Sequence, residues 1–344
     1  MTDTLTITQP DDWHLHLRDG AYMAAVVNDS ARCFGRALVM PNLADPIRTV
    51  ADAARYRERI LKALPPKSTF EPLMTLYLTA ETPSSEVEVA LQSGFVHAVK
   101  LFPAGATTLS DAGVQSWQEA IPVLESMQKN GMVLSIHGEV TDPEVDIFDR
   151  EKVFIDRVLT GLVDAFPGLR IVLEHLSTKE AVAFVEAAGE NVAGTITAHH
   201  LLLNRNDLLV GGIKPHFYCL PIVKTEQDRQ ALLKAATSGN SKFFLGTDSA
   251  PHPRSEKEAT IGKAGIYSAG FAISLYADLF DSAGQLDRLE GFASFYGADF
   301  YRLPRNTTKV TLEKTNSEVI PAVLNYHDQE LISLKGGETV KWKG

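Results

Sequence analysis

The chain has 344 residues, of which 22% are charged and 44% hydrophobic, and its formal net charge is −10 at neutral pH. This is the composition of an ordinary globular chain, and the acidic balance, with no Lys/Arg block, argues against a nucleic-acid surface. Only Cys33 and Cys219 occur, which excludes a disulfide framework and points to a reducing compartment. The opening Met1-Thr2-Asp3-Thr4 lacks the basic and apolar regions of a secretion signal. The longest apolar stretch, 264–280, is interrupted by Ser268, Ser274 and Asp278 and reads as a buried helix rather than a membrane span. A soluble, cytoplasmic protein is expected, with neither membrane nor nucleic acid as a partner.

Strand-like runs are expected at 13–17, 37–40, 73–78, 95–101, 133–137, 170–175, 192–197 and 242–246. Helical patterns fall between them at 50–64, 84–93, 116–129, 154–166, 178–188 and 225–238, with Thr178 a cap. Strands followed by crossovers imply a parallel sheet, and eight of them can close into a (β/α)8 TIM barrel. An open doubly wound sheet is the rival, but its ligands gather at a single switch point. The first strand begins so early that an N-terminal β-sandwich has no room. The whole of 1–344 reads as one barrel domain, in which 303–344 is an irregular C-terminal extension packed on the barrel. A β-like piece is expected at 331–334.

Metal-ligand side chains end several of the strand-like runs. His14 and His16 share one face of the first by their spacing of two. His137 and His175 end the fifth and sixth, and Asp248 follows the eighth. Imidazoles suit zinc, and a carboxylate can act as base toward metal-activated water. Lys100 ends the fourth run. An ammonium repels a cation, so Lys100 either faces solvent or an acid, or stays neutral and adds carbon dioxide. The resulting carbamate is an anionic ligand with two oxygens. Four histidines, one aspartate and a bridging carbamate suit two metal ions.

The ordered set His-x-His, Lys, His, His, Asp resembles the binuclear amidohydrolase superfamily. The surrounding words are similar to the short, single-domain bacterial dihydroorotases: Asp12-Trp13-His14-Leu15-His16-Leu17-Arg18-Asp19-Gly20, Met40-Pro41-Asn42, Lys100-Leu101-Phe102-Pro103-Ala104-Gly105 and Gly246-Thr247-Asp248-Ser249-Ala250-Pro251-His252. The likeness runs from about Gln9 to Pro253.

It implies interconversion of N-carbamoyl-L-aspartate and L-dihydroorotate in pyrimidine synthesis, two Zn2+ per subunit, and a homodimer. One zinc would take His14, His16, Asp248 and the carbamate of Lys100, and the other the same carbamate with His137 and His175. Asp248 would carry the proton. Arg18, two residues past His16 on the same strand face, would clamp the substrate carboxylate with Asn42 and His252. Leu220 and Ala264 would hold the ring. The loop 104–112 has the composition of a lid, in which Thr107 and Thr108 would reach the substrate and Gly105 and Gly113 would let the backbone move. It is expected to be open or poorly ordered until carbamoyl aspartate binds. His97, His199, His200, His216 and His327 receive no role. The other readings are the same machinery acting on a hydantoin or lactone, and a catalytically dead scaffold.

Overall fold

In the computed structural model, which describes residues 3–326 and 329–344, the chain opens with a strand β1 (Thr4–Thr8). Eight parallel strands follow: β2 (Asp11–Leu15), β3 (Arg36–Val39), β4 (Glu71–Tyr77), β5 (Val96–Leu101), β6 (Val133–Ile136), β7 (Arg170–Leu173), β8 (Val192–Ile196) and β9 (Phe243–Leu245). Each pairs with the next in sequence order. The ring is joined where Asp248 N–H donates to His14 O at 2.8 Å and His16 N–H to Ser249 O at 3.1 Å. This is a (β/α)8 barrel, since an open doubly wound sheet would leave β2 and β9 as edges.

The strands are almost wholly buried, because a parallel barrel is covered by helices outside and by side chains inside. An inner cluster of Trp13, Leu38, Leu73, Ala98, Val133, Val172, Ala193 and Phe244 fills the floor of the ring. Tyr301 closes it from below, stacked on Trp13 with ring centroids 4.5 Å apart. Two residues further along most strands, the inward position passes from apolar to polar: Thr75, Lys100, Ser135, Glu174 and Thr195 are all buried. Alternation along a strand therefore builds an apolar floor and a polar storey above it.

Helices begin where the sequence supplies caps. Thr178 caps Lys179–Ala187 through Ala181 N–H, and Thr49 with Asp52 and Thr225 with Asp228 form capping boxes. The apolar stretch 264–280 is helical only from Ala272–Ser282, after a short turn at Ala269–Phe271. Its first residues instead run across the barrel mouth, where Ser249 and Ile266 form a parallel bridge.

The end of the chain departs from the irregular extension expected. Strand β10 (Lys309–Val319) pairs with β1 on one side and with a last strand on the other, while β11 (Val323–Tyr326) and β12 (Gln329–Ile332) form a hairpin. The last strand, β13 (Thr339–Lys343), packs on Ala272–Ser282 by donating Trp342 N–H to Asp278 at 3.0 Å and Trp342 Nε1–H to Asp281 at 3.1 Å. The residues ahead of the barrel thus serve as one strand of a three-stranded antiparallel sheet. His327 lies outside the described residues. Among the described residues no helix is long and apolar enough to cross a membrane.

Candidate metal centre and substrate pocket

The residues that end the barrel strands meet at one mouth of the ring. The register of β2 shifts between Asp12 and Leu15, so Trp13 fills the floor while Leu15 and Leu17 pack outward. His14 and His16 are thereby turned to the interior. His175 follows Glu174 and by simple alternation would face outward, but its φ of 42° brings it back. Asp248 does the same with φ 46°. Of the seven non-glycine residues with positive φ among the described residues, four (Arg18, Leu109, His175 and Asp248) belong to this mouth or the loop above it. Such conformations cost about 1–3 kcal/mol each and persist where the surroundings impose them. Gly246 makes room, since a Cβ there would lie 3.0 Å from that of His14.

The four imidazoles form a continuous arc. Ring centroids are 5.3 Å apart for His14 and His16, 5.0 Å for His14 and His175, and 4.8 Å for His137 and His175. Asp248 Oδ1 lies 3.0 Å from His16 Nε2 and 3.5 Å from His14 Nε2. Candidate donor atoms of His14, His16 and Asp248 all fall within 4.8 Å of one another. Behind them stand two buried acids absent from the expected site. Glu174 Oε2 is 2.9 Å from His14 Nδ1, and Glu139 Oε2 is 2.8 Å from His137 Nε2. A carboxylate on one ring nitrogen leaves the other with its lone pair toward the cavity, the usual support of a metal-binding histidine.

Electrostatics agree with that geometry. Burial lowers His16 to about 4 and His175 well below the ordinary histidine value, so both are neutral and able to donate a lone pair. Burial alone would raise Asp248 and Glu174. The hydrogen bond from His16 and electrostatic attraction to the His14 and His16 rings outweigh it at Asp248, and His14 and Lys100 do so at Glu174, so both lie below the usual carboxylate range. Lys100 is fully buried, and among the described residues its Nζ finds no hydrogen-bond partner. Burial pushes it down to about 8, against the pull of Glu174 and Asp248. His175 Nδ1 is likewise buried without a partner. Orphaned polar atoms of this kind are rare in an interior unless an ion or water completes them, and a neutral imidazole nitrogen has the lone pair a metal ion needs. The residues present therefore fit a metal centre.

The remaining site residues surround the same space. Arg18 reaches it by a different route from the expected one: β2 ends at Leu15, and a left-handed turn with φ 58° at Arg18, rather than strand alternation, aims the side chain. Its Nη2 meets His252 Nε2 at 2.8 Å and its Nε donates to Pro251 O at 3.3 Å, while Asp19 pairs with Arg59. Burial and Arg18 push His252 down to about 2, so its ring is neutral and accepts from Arg18. Asn42 Nδ2–H donates to Thr108 O at 3.0 Å, and Thr108 Oγ1–H to Ala264 O at 3.4 Å. The loop 104–112 is thus described in an inward position, tied within itself by Ser110, which accepts from Thr107 N–H and donates to Thr107 O. A cavity of about 20 Å³, room for about one water, remains among His14, His16, Arg18, Asn42, Thr107, Thr108, His137, His175, Leu220, Asp248, Ala264 and Gly265. A larger cavity of about 480 Å³ adjoins it, sharing Arg18 and bounded by Leu109 of the loop.

Sequence reasoning missed Asp12, Glu139, Glu174 and Gly265. Asp12 accepts from Thr247 N–H at 2.8 Å, Thr247 Oγ1–H at 2.6 Å and His14 N–H at 3.1 Å, fixing Asp248 beside the two histidines. The available signal was an acid at an inward position of an apolar run, as at Glu174. The histidines without a role are not part of the arc of ring contacts, although His199 and His200 act electrostatically on Asp248 and His175. His97 is part-buried, and His216 pairs with Glu258 at 2.9 Å. His199, His200 and Cys219 cluster together. There His200 bonds Thr197 Oγ1 and Pro221 O, and Cys219 Sγ–H donates to the same carbonyl, so those donors are already engaged.

Residues 7–314 match the amidohydrolase family. A dihydroorotase of Methylobacillus flagellatus is 60% identical over 343 residues, covering 100% of this chain and 99% of its own. A dihydroorotase structure from Campylobacter jejuni superposes with TM-score 0.91 at 33% identity, covering 100% of this chain and 98% of that one. One from Saccharomyces cerevisiae, in complex with 5-fluoroorotic acid, gives 0.90 at 34% identity, with 98% and 97% covered. The chain belongs to the amidohydrolase family and, within it, to the dihydroorotases.

Proposed function

We propose that this chain catalyses the reversible closure of N-carbamoyl-L-aspartate to L-dihydroorotate and water in pyrimidine (UMP) synthesis. The observation that carries this reading is the convergence of four buried imidazoles and Asp248 on one cavity that Arg18 and Asn42 also line. Lys100, buried without a partner, acts electrostatically on the same groups.

His14, His16 and Asp248 would hold one zinc ion and His137 and His175 a second, with the carbamate of Lys100 shared between them. When bound, the two ions lower the pKa of water and polarise the amide carbonyl. Ring opening adds water across the amide C–N bond. Asp248 Oδ, held anionic, takes the water proton and delivers it to the departing ring nitrogen, and ring closure runs the same transfer backwards. Arg18 would grip the free carboxylate with charge-assisted hydrogen bonds, supported by Asn42 and His252. The backbone at Leu220 and Ala264 would orient the ring. A cavity of about 20 Å³ cannot admit that ring, so the loop with Thr107 and Thr108 would swing out for entry and return to exclude water. A homodimer and a cytoplasmic location belong to the same reading.

The test is turnover by the purified protein supplied with zinc and bicarbonate. Both ring opening of dihydroorotate and ring closure of carbamoyl aspartate are expected, with a hydantoin and a lactone turned over more slowly because neither offers Arg18 a carboxylate. Absence of dihydroorotate turnover alongside hydantoin hydrolysis would overturn the assignment.

A further inference from the structure

One buried ammonium takes no part in the chemistry above. Lys257 is 3% exposed, and among the described residues it forms no ion pair with a carboxylate. Its Nζ instead donates to three backbone carbonyls: Tyr218 O at 2.7 Å, Lys263 O at 2.9 Å and Gly265 O at 2.7 Å. An ammonium has three donors, and here all three are spent on main chain.

The acceptors lie on two segments that line the site cavity. Tyr218 is two residues before Leu220, while Lys263 and Gly265 flank Ala264. A further tie between them is Gly265 N–H donating to Tyr218 O at 3.0 Å. Lys257 itself ends the short helix Arg254–Lys257 and donates its N–H to Pro253 O at 3.0 Å, so it is anchored next to His252. Gly265, at φ 144°, packs so tightly there that a Cβ would sit 2.8 Å from His252 Cδ2. Three separate pieces of backbone, carrying Leu220, Ala264 and His252, are thereby fixed relative to one another by a single side chain. A lysine kept for solubility would be exposed, and one kept for charge would face an acid. This one is desolvated, which is costly, and its partners are the main-chain groups that shape the pocket.

We propose that Lys257 is a positioning residue for substrate binding, setting the spacing and orientation of the Leu220 and Ala264 backbone groups that face the substrate ring. The inference rests on the dihydroorotase reading for which groups meet the substrate. Lys257→Met removes all three hydrogen bonds and leaves the Lys263 and Gly265 carbonyls unpaired, while Tyr218 O keeps only the Gly265 N–H. Because no reacting atom is touched, KM for dihydroorotate should rise by about 10-fold or more while kcat and zinc content stay close to wild type. A side chain that merely stabilised the fold would lower the active fraction and leave KM unchanged.

The experiment pairs steady-state kinetics of Lys257→Met with hydrogen–deuterium exchange over 216–220 and 258–266. Raised KM with faster exchange in both segments is the expected result. Wild-type KM in the folded variant, or loss of kcat at constant KM, overturns the proposal. If Lys257→Met does not fold, Lys257→Gln carries the test, having two donors for three carbonyls, and a wild-type KM there overturns it equally. Absence of dihydroorotate turnover in the wild type would refute the dihydroorotase reading instead. The exchange data then decide the clasp by themselves, and unchanged exchange would refute it.

Discussion

Lys100 shows most clearly what one residue can do in this site. An ammonium buried without a partner is costly, and that cost favours the neutral amine, so the pKa falls to about 8. Only the neutral form is a nucleophile toward carbon dioxide. In metal-free protein held at a constant concentration of dissolved carbon dioxide, zinc uptake should therefore be slow at pH 7, where the ammonium dominates. It should speed up as pH rises through about 8 and level off above pH 9. Uptake that is independent of pH across this range, or faster in acid, would remove the amine from the process. The residues that announced themselves in the sequence were those at the ends of apolar runs: His14, His16, Lys100, His137, His175 and Asp248. Glu139, Glu174 and Asp12 did not, because their roles depend on neighbours from other strands. Arg18 was found for the wrong geometric reason. Strand alternation does not extend to it, and a left-handed turn takes its place.

Among the elements, the loop 104–112 is the one that the proposed function would require to move. Its inward position is held by few bonds to the rest of the molecule, chiefly Asn42 to Thr108 and Thr108 to Ala264. Its interior is tied more firmly through Ser110, which suits movement as a unit about its base at Pro103 and Val114. Ordering a segment costs about 1–2 kcal/mol per residue, so hydrogen bonds to substrate would be needed to hold it closed over a filled site. Replacing Thr107 with Val and Thr108 with Ala should depress turnover at least about 10-fold in both directions while leaving zinc content unchanged. Kinetics equal to wild type in both directions would make the loop a simple connector. The barrel strands were legible to within a residue or two because buried parallel strands are continuous apolar runs. Strand β10 was not. Its sequence, Lys-Val-Thr-Leu-Glu-Lys-Thr-Asn-Ser-Glu-Val, is largely solvent-facing, and β1, one of its partners, lies about 300 residues away. Local pattern carries no trace of such a pairing.

For the molecule as a whole, closure of the ring is what turns five separated strand ends into one centre. The apolar floor around Trp13 fixes the height of the polar storey, and Asp12 with Thr247 locks the seam where β9 returns to β2. The three-stranded sheet then joins β1 to the C-terminal strands and packs β13 on the helix Ala272–Ser282. On the proposed function, this architecture would hold two metal ions bridged through Lys100. The bridging role of Lys100 is tested most directly by elemental analysis of Lys100→Ala beside wild type, with turnover measured on the same samples. Two zinc ions per wild-type chain are expected, with loss of most of the metal and activity in the variant and partial return of both when a small carboxylic acid is added. Two ions and wild-type turnover in Lys100→Ala without any additive would contradict it.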